Sequence, residues 1–252
     1  MKVLNFGSLN LDYVYQVEHF VQPGETLSVL SQTVNPGGKG LNQSIALAKA
    51  GADTCHAGCI GTGGEALGEL LKKNGVDTRH LLFTGTFQGS AVIQVAPDGQ
   101  NCILLYGGSN QCITRRQVRE TLSHFGEGDC LLLQNEVNAL PEIVDEGFLR
   151  GMKIFLNPSP YNGKLRDVDL GKIHWLFVNE IEARQLSGSG RPEEAWQILH
   201  QKYPGLNLLV TLGSQGSIAF TDKETVRQKA FPVRAVDTTG AGDTFTGYFT
   251  AD

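Results

Sequence analysis

Between Thr114 and Thr211 the chain alternates helical and extended patterns at short intervals: helix 114–124, strand 129–133, helix 139–149, strand 153–156, strand 174–178, helix 191–202 and strand 207–211. Short apolar strands separated by helices must be covered on both faces, and parallel sheets flanked by helices are the arrangement that does so. The predicted class is α/β, a three-layer α/β/α fold around a doubly wound, mostly parallel sheet. Two earlier runs belong to it: Lys2–Phe6, ended by Gly7-Ser8, and Thr54–Ile60. A further strand, 217–220, follows the turn after Thr211.

Two strand pairs break the rhythm. Asp12–Val17 and Thr26–Val34, separated by Pro23-Gly24, mix polar with apolar residues, and Ala91–Ala96 and Asn101–Tyr106 flank the turn Pro97-Asp98-Gly99-Gln100. Neither pair has a helix between its strands, so both are assigned to one small antiparallel sheet acting as a lid. The expected division is a core of residues 1–11, 35–86 and 112–252 and a lid of 12–34 and 87–111. Such a lid has too few residues to cover both its faces, and a homodimer through the lid is expected.

A chain of 252 residues buries about 70–75% of its unfolded surface without needing disulfides. Its 21 basic and 26 acidic residues give a net charge of −5 with no long run of either sign. That argues against an extended nucleic-acid surface, so a small anionic ligand would need a local positive site. The five cysteines, Cys55, Cys59, Cys102, Cys112 and Cys130, form no C-x-x-C pair and are odd in number, which points to free thiols in a reducing, cytoplasmic setting. Cys55-His56-Cys59 is a poor metal set, because adjacent strand residues face opposite sides. The start Met1–Phe6 is too short for a signal peptide, and no apolar run reaches the ~18 residues of a membrane span.

The stretch V-D-T-T-G-A-G-D-T-F, residues 236–245, combines a strand exit, a glycine turn and a carboxylate. Thr238-Thr239 offers a helix N-cap, and Gly240, Ala241 and Gly242 carry no side chain large enough to keep an anion from their N–H groups. Asp243 on the first helical turn can accept a proton from a substrate hydroxyl during phosphoryl transfer, or can simply be an acid favoured by the helix dipole. The motif alone leaves both open. Asn10 and Asp12 lie where ligands enter α/β sheets, with turn chemistry as the alternative. Glycines before Lys39 and Asn42 allow close approach of a ligand, with Lys39 either a hydroxyl donor or a solvated charge. Glu136 and Asn179 follow strand ends, where a helix cap is the alternative. Gly61–Ala66 fits a loose dinucleotide fingerprint but lacks the acid that should follow about 20 residues later.

Taken in order, G-S-L-N-L-D (7–12), G-G-K-G-L-N-Q (37–43), L-Q-N-E (133–136), N-x-x-E (179–182), T-L-G-S-x-G (211–216) and D-T-T-G-A-G-D-T-F (237–245) resemble the successive signatures of the ribokinase-like (PfkB) carbohydrate kinases over essentially the whole chain. The resemblance implies a β-lid closing over a sugar and ATP-dependent phosphorylation of a small sugar, D-ribose at its O5 hydroxyl leading. By resemblance, Asn10, Asp12, Gly38, Lys39 and Asn42 hold the sugar, with Glu136 near it. Asn179, Thr211, Gly213, Ser214 and Gly216 approach the nucleotide. Glu182 orders water around Mg²⁺, while Asp237 and Thr239 belong to a K⁺ (monovalent cation) loop. Asp243 is the base and Gly240, Ala241 and Gly242 the anion hole.

Two departures stand out. Gly61-Thr62-Gly63-Gly64 replaces the family's frequent G-x-D or G-D-D. The chain ends at Asp252, where relatives continue through helices that complete the adenine pocket and the cation site, so weak or absent activity is expected of this form, with Phe245 and Phe249 short of neighbours. The other function classes are a kinase for another sugar or a nucleoside, a nicotinamide-dependent oxidoreductase using Gly61–Ala66, and a non-catalytic sugar-binding protein.

Overall fold

The computed structural model describes residues 1–234 and 238–252. In chain order its elements are β1 (Lys2–Phe6), β2 (Asn10–Gln16), β3 (Ser31–Gly37), α1 (Lys39–Lys49), β4 (Asp53–Thr62), α2 (Glu65–Lys73), β5 (Asp77–Phe87), β6 (Ser90–Val95), β7 (Asn101–Tyr106), α3 (Arg115–Leu122), β8 (Cys130–Gln134), α4 (Leu140–Leu149), β9 (Lys153–Asn157), β10 (Trp175–Asn179), α5 (Glu180–Ser187), α6 (Pro192–Lys202), β11 (Asn207–Thr211), β12 (Ser217–Phe220), β13 (Thr225–Gln228) and α7 (Ala241–Ala251). Among the described residues nine strands form the main sheet in the order β13-β12-β11-β10-β9-β8-β1-β4-β5. All neighbours pair parallel except β11–β12 and β12–β13.

The strand order reverses at β1, whose neighbours β4 and β8 lead to opposite edges of the sheet. Ligands in such sheets bind at the carboxyl ends of the strands beside this switch, and Ser8–Asn10 and Asn135–Glu136 leave β1 and β8 there. Alternation along each strand supplies the two covered faces. Leu4, Phe6, Leu131 and Leu133 join the core with Val118, Ile143, Val144 and Leu199, residues of α3, α4 and α6. Val3, Leu132, Phe155, Phe177 and Leu209 face the other way, against Leu47 of α1 and Phe245 and Phe249 of α7.

The second sheet has the order β3-β2-β6-β7 and is mixed rather than wholly antiparallel, because β2 pairs parallel with β6. Its strand β3 begins at Ser31 and runs on to Gly37, displaced from the expected 26–34. The register Asp12↔Asn35 to Gln16↔Ser31 sets its position, and Glu25 is tied instead to Gln22 N–H and His19 in the connecting loop. Pro36 is tolerated within β3 because that strand lies at the edge of its sheet.

Several elements had no counterpart in the sequence reading, among them α2, β5, α5 and β13. β5 extends from Asp77 to Phe87 and pairs with β4 as the sheet's far edge. α5 is a short helix between β10 and α6, and β13 closes a hairpin with β12. In that hairpin a Cβ on Gly216 would lie 1.9 Å from the Gln228 carbonyl oxygen.

Candidate active site

The site grows out of the crossing of α1 and α7. Gly247 of α7 rests on α1 so closely that a Cβ there would lie 2.5 Å from Ala46 Cβ and 3.0 Å from Gln43 O. Phe249 anchors the other side of α7, edge-on to Trp175 at 5.0 Å and to Phe177 at 5.4 Å. The neighbours that Phe245 and Phe249 were expected to lack are thus supplied by β10 and by each other.

Held this way, Asp243 is 6% exposed on the first turn of α7, and both carboxylate oxygens receive amide donors from α1. Asn42 Nδ2 donates to Oδ2 at 3.1 Å, and Gln43 Nε2 donates to Oδ1 at 2.9 Å. The N-cap of α7 is Gly240 in the left-handed conformation, φ +71°, rather than Thr238 or Thr239, and no side chain caps the helix. Ala241 N–H donates to Thr238 O at 3.1 Å, whereas the N–H groups of Gly242 and Asp243 remain for a bound anion, and a Cβ at Gly242 would meet nothing within 4 Å.

Two clefts meet at this turn. A smaller one, about 150 Å³, is lined by Lys39, Asn179, Glu182, Thr211, Gly240, Ala241, Gly242 and Asp243. A larger one, about 1100 Å³, lies under the second sheet and is lined by Asp12, Gly37, Asn42, Thr239 and Gly240. Gly240 borders both. Gly213, Ser214 and Gly216 do not line the smaller cleft, and Asp237 lies outside the described residues.

The sugar-side candidates converge at the start of α1. Gly38 caps α1 with φ +94°, and a Cβ there would come within 2.9 Å of Asn10 N. A Cβ on Gly37 would fall 2.0 Å from Asp12 Oδ2, so the bare backbone at 37 makes room for that carboxylate. Glu136 accepts from Ser8 Oγ and from Lys39 N–H at 3.0 Å. Burial raises the Asp12 pKa to about 6, with the Glu136 charge adding to it. Burial also raises the pKa of Glu136, against the hydrogen bond from Ser8 and the charge of Lys39.

Across the smaller cleft Asn179 is the N-cap of α5 and forms a reciprocal capping box with Glu182: Asn179 Oδ1 accepts Glu182 N–H at 2.8 Å, and Glu182 Oε2 accepts Asn179 N–H at 3.0 Å. The cap and the cleft lining are one arrangement, because the capped end of α5 is also the cleft wall. Glu182 Oε1 accepts no hydrogen bond from the described residues.

Several contributors escaped the sequence reading, all of them buried amides. Asn110 donates to Asn10 Oδ1, Gln43 reaches Asp243, and Gln134 Nε2 donates to Gln43 Oε1 at 2.6 Å. Gln88 explains the odd glycine turn: its Oε1 accepts Gly61 N–H at 2.9 Å, and a Cβ on Gly64 would lie 2.0 Å from that oxygen. The fingerprint Gly61–Ala66 is closed around a glutamine side chain, where a pyrophosphate would have to sit.

The family model of pfkB family carbohydrate kinases matches residues 1–252. The chain belongs to that family. A ribokinase of Staphylococcus aureus is 37% identical over 259 residues, covering 98% of this chain and 84% of its own. A ribokinase of Haemophilus influenzae is 35% identical over 259 residues, covering 96% of this chain and 82% of its own. Among solved structures, ribokinase from Cryptococcus neoformans var. grubii serotype A in complex with ADP superposes with a TM-score of 0.84 at 33% identity, covering 99% of this chain and 86% of that one. For a carbohydrate kinase the two clefts have natural occupants, one for each substrate.

Proposed function

We propose that the protein is an ATP-dependent sugar kinase that transfers the γ-phosphate to a primary hydroxyl, with D-ribose to ribose 5-phosphate as the leading reaction. One observation carries the reading: Asp243 and the uncapped start of α7 stand where the two clefts meet. The ribokinases of S. aureus and H. influenzae support the substrate, and the ADP complex of the C. neoformans enzyme supports the nucleotide.

In this reading the sugar lies between the larger cleft, lined by Asp12 and Asn42, and the cleft lined by Asn10 and Glu136. Asn10 donates to one hydroxyl, Asp12 accepts from others, and the Gly38-Lys39 backbone, Asn42 and Glu136 close around the ring. The primary hydroxyl points at Asp243, which accepts its proton as the oxygen attacks the γ-phosphate. Charge spreading over the phosphate oxygens meets the N–H groups of Gly240 and Gly242 and the positive end of α7, with Ala241 N–H joining them once it turns from Thr238 O. Asn179 and Thr211 face the remaining phosphates, with Gly213, Ser214 and Gly216 in the turn beyond.

Mg²⁺ fits this donor set. Among the described residues no group of three acids, histidines or cysteines could hold a metal, and Glu182 offers one uncommitted carboxylate oxygen, as suits an ion that keeps most of its waters. Bound there, it would neutralise phosphate charge. Thr239 and Asp237 carry the proposed K⁺ loop. The free cysteines fit a cytoplasmic setting.

The second sheet also carries the proposed homodimer. Val34, Tyr13, Val92 and Leu104 are cross-strand neighbours in one row on the face turned away from the cleft, and Val34, Val92 and Leu104 are exposed. The same face of a second copy would cover this row in a two-fold arrangement. Leu104→Glu should then yield monomer by sedimentation, and a parent protein that is itself monomeric at high concentration would refute the dimer.

A second reading, a nucleoside or larger-sugar kinase, is favoured by the size of the larger cleft, about 1100 Å³. ADP formation across pentoses, hexoses and nucleosides tests both. Ribose should give the highest kcat/KM. A nucleoside in first place selects the second reading, and sugar binding without ADP formation would leave a non-catalytic binder.

A further inference from the structure

A line of buried polar side chains runs from Asp243 into the core and ends at a histidine. Beyond the Gln43 bond to Asp243 Oδ1, Gln134 Nε2 donates to Gln43 Oε1 at 2.6 Å and to Asn5 Oδ1 at 2.9 Å. Asn5 Nδ2 then donates to Gly40 O and to Ser44 Oγ, each at 2.8 Å, and Ser44 Oγ lies 2.7 Å from His56 Nδ1. Asn5, Gln43, Ser44, His56 and Gln134 are all 0% exposed.

The direction of this line follows from its two ends. An ionised carboxylate only accepts, so Gln43 must turn Nε2 toward Asp243 and leave Oε1 to accept from Gln134. Gln134 must then direct its own N–H groups at Gln43 and Asn5, which commits Asn5 Nδ2 to Gly40 and Ser44. At the far end burial holds the His56 pKa down, to about 4, so that the ring is a neutral acceptor or donor rather than a second charge. Two side-chain amide dipoles in series therefore point their positive ends at Asp243. Gln134 Oε1 has no partner among the described residues, and breaking the line would orphan further buried polar atoms of Gln43, Asn5 and Ser44, a cost that keeps it intact.

We propose that Gln43 and Gln134 are positioning residues for Asp243. They hold Oδ1 against α1 and leave Oδ2, shared among the described residues only with half-buried Asn42, as the oxygen that faces the cleft and takes the hydroxyl proton. Neither glutamine lines either cleft at Asp243, so neither touches substrate. The role rests on the reading of Asp243 as the base.

The test is a double-mutant cycle in single-turnover and steady-state assays. Gln43→Met keeps the length of the side chain but removes the donor, and should lower kcat about ten- to a hundredfold, the size expected of one hydrogen bond to a charged group, with sugar KM changed less than threefold. Combined with Asp243→Asn, the Gln43→Met change should cost nothing further, because the group it positions is already lost. Gln134→Met, one link away, should lower kcat by a smaller factor with KM again held. A merely structural role would instead give losses that multiply with Asp243→Asn, or variants at both positions with kcat within threefold of the parent, and either result overturns the proposal. Failure of both variants to fold, read by thermal melting, would assign the glutamines to the core and overturn it too. If Asp243→Asn alone leaves kcat unchanged, the reading of the site itself falls rather than the role of the amides.

Discussion

The side-chain amide of Asn110 donates to Oδ1 of Asn10 at 2.7 Å, and that one bond decides which end of Asn10 faces a third cleft, about 300 Å³, that it lines with Asn135 and Glu136. Asn110 is itself fixed from both ends, since its Oδ1 accepts Leu9 N–H at 3.0 Å and its Nδ2 reaches Leu9 O at 3.1 Å. Asn10 is left with Nδ2 to offer. Asp12, two residues along the same strand and on the same face, offers acceptors. A hydroxyl needs one of each, so the pair forms a matched set for a polyhydroxylated ligand.

Asn110→Asp tests this match without changing side-chain size. The new carboxylate would draw Asn10 Nδ2 away from the cleft, leaving two acceptors facing the sugar. Sugar KM should rise about tenfold, with kcat within a fewfold of the parent. An unchanged KM would remove Asn10 from the sugar contacts.

Asp12 makes a prediction about pH. Its pKa is raised from 3.8 to about 6 by burial first and by Glu136 second, so the folded protein holds this proton more tightly than the unfolded chain between those values. Stability from this group therefore falls as pH rises from 3.8 through 6, and the ionised carboxylate is a cost to the free protein above pH 6. Asp12→Asn should raise the melting temperature at pH 8 and lose that advantage as pH approaches 4. Sugar binding runs the opposite way, because only the ionised form accepts two hydroxyl protons. Calorimetry should show sugar affinity dropping below pH 6 in the parent and a weak, pH-independent affinity in the variant. A parent affinity flat from pH 5 to 8 would contradict the role of Asp12.

The sheet and helices around β8–β11 were legible because apolar runs of strand length alternate with helical periods, and burial on both faces fixes what such runs become. β5 was not, because Arg79, Gly85 and the exposed Leu82, Phe83 and Phe87 give an edge strand no clean alternation. The lid strand β3 was misplaced because its limits come from pairing with β2 rather than from its own residues. In the site, residues in short glycine-rich motifs were legible, since close backbone approach leaves a sequence trace. Asn5 and Asn110 leave none: a buried amide looks like any polar residue until its partners, 100 or more positions away for Asn110 and Asn10, are brought beside it.

Gly247 shows how far packing alone sets the catalytic geometry. It is helical, where Gly→Ala ordinarily gains about 0.5–1 kcal/mol from backbone entropy. Here the added Cβ would lie 2.5 Å from Ala46 Cβ, a clash between two rigid groups that only separation of α1 and α7 can relieve. Overpacking of that kind costs about 1–3 kcal/mol, so the net effect of Gly247→Ala should be destabilising. The same separation lengthens the bonds from Asn42 and Gln43 to Asp243, now 3.1 and 2.9 Å, so kcat should fall along with the melting temperature. Adding Ala46→Gly removes the shortest contact and leaves those at 3.0 Å to Gln43 O and Leu47 N, with the two helix-propensity changes roughly offsetting. The double variant should recover part of kcat and of the melting temperature. If Gly247→Ala is stabilising, or if Ala46→Gly worsens it, the α1–α7 distance does not set the geometry at Asp243.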